Sequence, residues 1–178
     1  MNELTWSGLD RLDRELVERA QQACARAYAP YSLFAVGAAV RSKSGKIYTA
    51  ANIENASFGL TICAESAALS VANAAADFTA EALAVVGFDI RNASGAPQIV
   101  TPCGSCRQII AEAARRGESD VRVFSCNGDL SSIIVSSITE LLPSAFGPSH
   151  LGAAGQWGLF HAELQARVER LIARRKSQ

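Results

Sequence analysis

The chain has no excess of charge of either sign: 17 Lys and Arg stand against 17 Asp and Glu, for a formal net charge of zero at pH 7. That balance argues against a protein that grips nucleic acid mainly through its phosphates, which takes clustered cations. A small neutral or weakly charged substrate fits better. No stretch approaches the roughly 18 apolar residues of a membrane span, and Met1 to Asp10 lacks the basic segment and apolar run of a leader. The expectation is a soluble cytoplasmic protein that does not engage a membrane. An even cysteine set is also missing. The five thiols, Cys24, Cys63, Cys103, Cys106 and Cys126, are odd in number and do not resemble a secreted disulfide framework, so reduced thiols are expected. There is no internal repeat, no low-complexity tract and no dividing linker. With 178 residues, 49% of them hydrophobic, the chain can bury one substantial core.

What is present reads as alternating helices and strands. Between Ser7 and Ala27, Leu9, Leu12, Leu16, Val17, Ala20 and Cys24 recur at helical spacing, with Ser7 placed to cap and Asp10 three residues on. Cys24 lies on the apolar stripe and reads as a small buried hydrophobe. Ala29-Pro30-Tyr31-Ser32 breaks the helix. Phe34 to Val40, a turn at Ser42-Lys43-Ser44-Gly45, and Lys46 to Asn52 then form a hairpin. The alanine-rich run from Ile62 to Ala76 predicts a second helix and Glu81 to Asp89 a central strand, with a loop over Arg91 to Pro97. Gly104 to Arg116 predicts a third helix, closed by Arg115-Arg116-Gly117, which sets cations at the negative helix end before a terminating glycine. Val121 to Ser125 and Ile133 to Val135 are strands, and Ser137 to Leu142 a short helical turn. This order predicts an α/β fold with helices on both faces of a sheet.

After Phe146-Gly147-Pro148 the glycines Gly147, Gly152, Gly155 and Gly158 mark a loose connection to a last helix. Its stripe of Phe160, Leu164, Val168, Leu171 and Ile172 predicts packing on the chain's own core or on a neighbouring subunit. Arg170, Arg174, Arg175 and Lys176 read as a solvated helix end or a subunit contact rather than a nucleic-acid patch.

Two stretches carry chemistry. Thr61-Ile62-Cys63-Ala64-Glu65 sets a thiol two residues from a carboxylate at a helix start, and Pro102-Cys103-Gly104-Ser105-Cys106 adds two thiols across a glycine that permits a tight turn. Three protein ligands on zinc leave a fourth position for water, whereas a structural site closes all four. Glu65 favours the open site. Zinc makes bound water more acidic, and an adjacent carboxylate can take its proton. Three thiolates on a divalent ion leave the centre formally negative, so both helix N-termini, and Arg107 as a further candidate, are expected to offset that charge. Two other readings are a zinc knuckle stapling two helices and a redox dithiol at Cys103 and Cys106, though the dithiol leaves Cys63 and Glu65 unexplained.

Cys63-Ala64-Glu65 followed about 40 residues later by Pro102-Cys103-Gly104-Ser105-Cys106 matches the recorded signature of the zinc deaminases. Beyond it the chain resembles the small homotetrameric cytidine deaminases in Ala29-Pro30-Tyr31-Ser32, Phe34-Ala35-Val36-Gly37-Ala38-Ala39, Asn52-Ile53-Glu54-Asn55-Ala56-Ser57-Phe58-Gly59 and Glu140-Leu141-Leu142-Pro143-Ser144-Ala145-Phe146. The resemblance spans about Arg11 to Gly147. It implies a three-layer α/β/α fold with a mixed five-stranded sheet, a catalytic domain over 1–147, and an extension over 148–178 that is longer than the family's usual tail.

The resemblance further implies Cys63, Cys103 and Cys106 as ligands of one Zn2+ per chain and Glu65 as the proton shuttle. Asn52 and Glu54 are implied to hold ribose hydroxyls, Phe34 to pack near the pyrimidine, and Phe146 to reach a neighbouring subunit's site in a homotetramer. Phe34 and Phe58 also read as core residues of the sheet. Asn52 and Glu54, at alternate strand positions, would offer an amide and a carboxylate on one face. Many relatives have arginine directly after the glutamate, where this chain has Ser66. The implied activity is hydrolytic deamination of cytidine and deoxycytidine in pyrimidine salvage. The alternatives are deamination of another aminopyrimidine nucleoside, as in blasticidin S deaminases, and a non-catalytic zinc protein that supports assembly.

Overall fold

The computed structural model describes residues 2–92 and 98–176. The chain divides into two compact units, Met1–Ala145 and Phe146–Gln178.

In the first unit the elements run β1 (Asn2–Leu4), α1 (Arg11–Ala23), β2 (Phe34–Ser42), β3 (Ile47–Ala51), α2 (Ala64–Ala74), β4 (Ala80–Asp89), α3 (Gly104–Arg116), β5 (Arg122–Asn127), β6 (Ile133–Ser137) and α4 (Ile138–Leu141). The strands form one mixed sheet in the order β1-β6-β5-β4-β2-β3, with only the β4–β5 pair parallel. The sheet therefore has six strands where the sequence predicts five. The extra one, β1, forms the sheet edge beside β6 through three residues, Asn2, Glu3 and Leu4, too short and too polar for an alternating pattern to register.

Alternation along β4 sorts the core into two layers. Leu83 and Val85 face one side, with Val40, Val123, Ala64 and Ala68 of α2, and Ile110 and Ala113 of α3. Ala82, Ala84 and Val86 face the other, with Leu16, Val17 and Ala20 of α1 and the large buried ring of Phe124. Small residues let α1 press close: a Cβ on Gly37 in β2 would stand 2.2 Å from the Ala20 carbonyl oxygen. Cys24 is buried at this contact and donates to the Val86 carbonyl at 3.4 Å, as expected of a core thiol.

The start of α1 differs from the prediction. Asp10, not Ser7, is the N-cap, its carboxylate accepting from the Asp13 N–H at 2.8 Å, while Trp6–Gly8 forms a separate 3-10 turn. Both residues have capping chemistry, but Asp10 adjoins the first helical residue. Asp13 then anchors the helix to the sheet, accepting from Arg41 of β2 at 3.0 Å and from both terminal nitrogens of Arg122 of β5 at 2.9 Å. Helix α4 opens with a reciprocal capping box between Ser137 and Glu140.

The helix predicted over 62–76 is shorter, because Cys63 has extended backbone and caps α2. The loop predicted over 91–97 falls mostly outside the described residues. In the second unit a short 3-10 turn, Pro148–Leu151, precedes α5 (Trp157–Lys176). None of the residues of α5 is buried, and Phe160, Leu164, Val168, Leu171 and Ile172 are exposed. Among the described residues no helix is long and apolar enough to cross a membrane.

Candidate metal and active site

Helices α2 and α3 cover the same sheet face, and each begins with a cysteine. Cys63 caps α2 and Cys103 caps α3, both with extended backbone, so two sets of free N–H groups and two positive dipole ends meet at one place. The Sγ atoms of Cys63, Cys103 and Cys106 all lie within 4.8 Å of one another, with Cys63 and Cys103 4.0 Å apart. A tetrahedral zinc with Zn–S bonds of about 2.3 Å separates its sulfurs by roughly 3.8 Å, so the trio fits the ion with only a small contraction. Burial is graded across it: Cys103 is exposed, Cys63 half-buried and Cys106 buried. In the metal-free trio a hydrogen bond with Cys106 pulls the Cys63 thiol below its ordinary pKa, while that bond and burial push Cys106 far above its own.

Glu65, in the first turn of α2, is only 4% exposed and sits beside the thiols. Burial raises its carboxyl above the ordinary carboxylate range, against hydrogen bonds from its own N–H and from Cys106 that lower it. A buried acid next to three thiols has the placement of a proton carrier.

Two candidate donors for the thiolate charge are resolved differently. Arg107 is committed to carbonyls, its Nε donating to Pro102 at 2.9 Å and a terminal nitrogen to Leu141 at 3.3 Å, which ties the start of α3 to α4. The Ser66 hydroxyl, by contrast, lies 3.5 Å from the Cys106 sulfur. In the sequence alone Ser66 stands out only as a serine where many relatives have arginine. The signal available was its spacing, three residues from Cys63 and so on the same helical face.

Of the implied sugar contacts, Asn52 is held by the start of β2 and Glu54 by the turn between α1 and β2. Strand β3 ends at Ala51, so Asn52 and Glu54 lie just beyond it and not on its face as predicted, the chain continuing through bridges from Ile53 to Tyr28 and Ile62. Asn52 is buried, and its amide accepts from the Val36 N–H at 2.9 Å and donates to the Phe34 carbonyl at 3.0 Å. An amide has two donors and two lone pairs, so each end keeps one for a further partner. Glu54 accepts from the N–H groups of Tyr31 at 2.9 Å and Ser32 at 3.2 Å, and the Ser32 hydroxyl holds its carboxyl below the ordinary value.

Phe34 opens β2 half-buried, with its ring near Gly87. Phe58 is not a core residue: it is 73% exposed, its ring meeting Tyr31 edge-on at 5.9 Å. Phe146 belongs to the second unit, where it stacks on His150 at 5.0 Å.

The family model described as "Cytidine and deoxycytidylate deaminase zinc-binding region" matches residues 10–118, which contain Cys63, Glu65, Cys103 and Cys106. The chain belongs to this deaminase family. A cytidine deaminase of Halalkalibacterium halodurans is 45% identical over 138 residues, covering 76% of this chain and 95% of that protein. One from Mycobacterium tuberculosis is 38% identical over 128 residues, covering 72% of this chain and 84% of its own. The crystal structure of cytidine deaminase from Burkholderia pseudomallei superposes with a TM-score of 0.66 at 38% identity, covering 78% of this chain and all of that one. The family's zinc-binding region and the three-thiol cluster together fit one zinc ion per deaminase chain.

Proposed function

We infer that the protein is a hydrolase that deaminates cytidine and deoxycytidine, giving uridine or deoxyuridine and ammonia. The observation that carries this reading is the convergence of the thiols of Cys63, Cys103 and Cys106 within 4.8 Å beside the buried Glu65. Zinc held by these thiolates supplies the acidity that makes water nucleophilic near neutral pH. Glu65 takes the proton from that water as it adds to C4 of the pyrimidine and delivers it to ring N3. Glu65 then takes the remaining proton of the hydroxyl added at C4 and passes it to the exocyclic amine, and the C4–N bond breaks to release ammonia as the C4 carbonyl forms. Low solvent exposure keeps the carboxyl from exchanging these protons with bulk water.

Asn52 and Glu54 bind the ribose hydroxyls through the amide valences and carboxylate lone pairs that the backbone contacts leave over, and Phe34 borders the base. Phe146 completes the site of a neighbouring subunit in a homotetramer. Exposed Phe58, Leu60 and Ile62 shortly precede Cys63, with Tyr31 against Phe58 and Ile53 bridged to Ile62, and this apolar exposure supports burial of the edge between copies. The exposed stripe of α5 supports a role in assembly for the extension over 148–178. The protein acts in cytoplasmic pyrimidine salvage, on free nucleosides rather than nucleic acid.

The test is ammonia release and loss of ultraviolet absorbance with cytidine, deoxycytidine and blasticidin S, using zinc-loaded protein. Turnover of the first two is expected. Turnover of blasticidin S alone, or of none, would sink the reading.

A further inference from the structure

Three thiolates on a divalent ion leave one net negative charge, and the three sulfurs do not share it equally. Cys103 is exposed and can be hydrated, and its sulfur also accepts from the Cys106 N–H at 3.5 Å. Cys63 is half-buried. Cys106 is 1% exposed, so its sulfur has no access to bulk water, and a buried charge without a donor is costly. Besides Cys63 and Glu65, which have no proton to donate once ionised, Ser66 meets it, with its hydroxyl oxygen 3.5 Å from Cys106 Sγ. A metal-bound thiolate carries no proton, so in the loaded site the hydroxyl is the donor. Arg107, the residue after Cys106, is spent on the carbonyls of Pro102 and Leu141. Its backbone lies in the first turn of α2, where its carbonyl accepts from the Ser70 hydroxyl at 2.9 Å.

We propose that Ser66 is a positioning residue for the metal centre, donating its hydroxyl hydrogen to the buried Cys106 thiolate and doing with a neutral dipole what a neighbouring cation would do with charge. Because it bridges the first turn of α2 to the first turn of α3, the bond also holds the two ligand-bearing helix starts in register. Removing such an outer partner typically weakens metal affinity by about 10–100-fold. A sulfur that loses a hydrogen-bond donor becomes a stronger electron donor, which lowers the energy of its charge-transfer absorption to a bound open-shell metal.

The inference rests on zinc occupying the three-thiol site and not on the identity of the substrate. It is tested by chelator competition for zinc and by the thiolate-to-metal charge-transfer band of the cobalt-substituted protein, in wild type, Ser66→Ala and Ser66→Thr. Ser66→Ala is expected to bind zinc at least about tenfold more weakly and to shift the cobalt band to longer wavelength, while Ser66→Thr, which keeps the hydroxyl, stays near wild type. If Ser66→Ala does not fold, Ser66→Val against Ser66→Thr makes the same comparison with a methyl in place of the hydroxyl. An unmoved band with unchanged zinc affinity in the hydroxyl-free variant would overturn the proposal, and so would a threonine variant indistinguishable from it. A band shift in a protein that does not turn over cytidine would leave Ser66 assigned and the substrate reading refuted.

Discussion

Replacing Asp13 with alanine removes the one carboxylate that joins α1 to two strands of the sheet, and the cost follows from what is left behind. Asp13 and Arg41 are each 4% exposed, while the Arg122 side chain is 43% exposed. Without Asp13, Arg122 turns into solvent at little expense. Arg41 cannot do the same. Among the described residues it keeps the Leu12 carbonyl at 3.0 Å and a 3.6 Å approach to Glu81, whose side chain is half in water and therefore weakly attracting. Breaking a buried pair in this way costs about 3–5 kcal/mol, and the residual Glu81 contact places Asp13→Ala near ~3 kcal/mol. For a domain of this size that lowers Tm by roughly 6–12 °C. Denaturant and thermal unfolding of the zinc-loaded variant measure it. Because α1 packs on the sheet face opposite α2 and α3, zinc content and kcat well below the melting point should stay near wild type. A loss below about 1 kcal/mol, the range of an exposed pair, would refute the claim that this network is a buried anchor.

Chelation should lower Tm and readdition of one zinc per chain restore it, since metal bound only by the folded state stabilises by about 4 kcal/mol at a thousandfold excess over Kd; calorimetry with and without chelator checks this, and an unchanged Tm would count against zinc at the helix starts. Asn52→Ala should raise KM for cytidine and also cost about 1–3 kcal/mol of stability, because it strips partners from the Val36 N–H and the Phe34 carbonyl. Glu54→Gln keeps an acceptor for Tyr31 and Ser32 and should mainly raise KM; comparing steady-state kinetics with denaturation midpoints separates the two roles, and unaltered KM in both variants would remove them from the sugar site.

Much of this was legible in the residues. Helix α3 has the bounds read for it, because Cys103 and Pro102 mark its start, Arg115-Arg116-Gly117 marks its end, and Ile110, Ala113 and Ala114 keep a continuous apolar face. The layering of the sheet follows from the β2–β3 turn and the long apolar run of β4. The paired cysteines were readable because metal geometry constrains spacing, and the structure brings all three together.

What escaped depends on neighbours distant in sequence. Strand β1 exists through its pairing with Ile133, Ile134 and Val135, which three residues cannot announce. Asp10 and Ser7 are both good caps in sequence, and a separate 3-10 turn over Trp6–Gly8 takes up Ser7, leaving Asp10 to begin the helix. The exposure of Phe58 is invisible to hydrophobicity, since an exposed apolar ring and one in a core look alike in sequence. The partnership of Ser66 with Cys106, 40 residues away, requires α2 and α3 to be set side by side.

The central claim is that a buried carboxyl moves protons at a three-thiolate zinc site, and Glu65→Ala measures it most directly. Zinc per chain by metal analysis and ammonia released from cytidine should be determined on the same sample. The account predicts zinc near one per chain, an unchanged fold by circular dichroism, and turnover reduced at least about 10²–10⁴-fold. A Glu65→Ala protein that binds zinc and still deaminates cytidine within tenfold of the wild-type rate would contradict it.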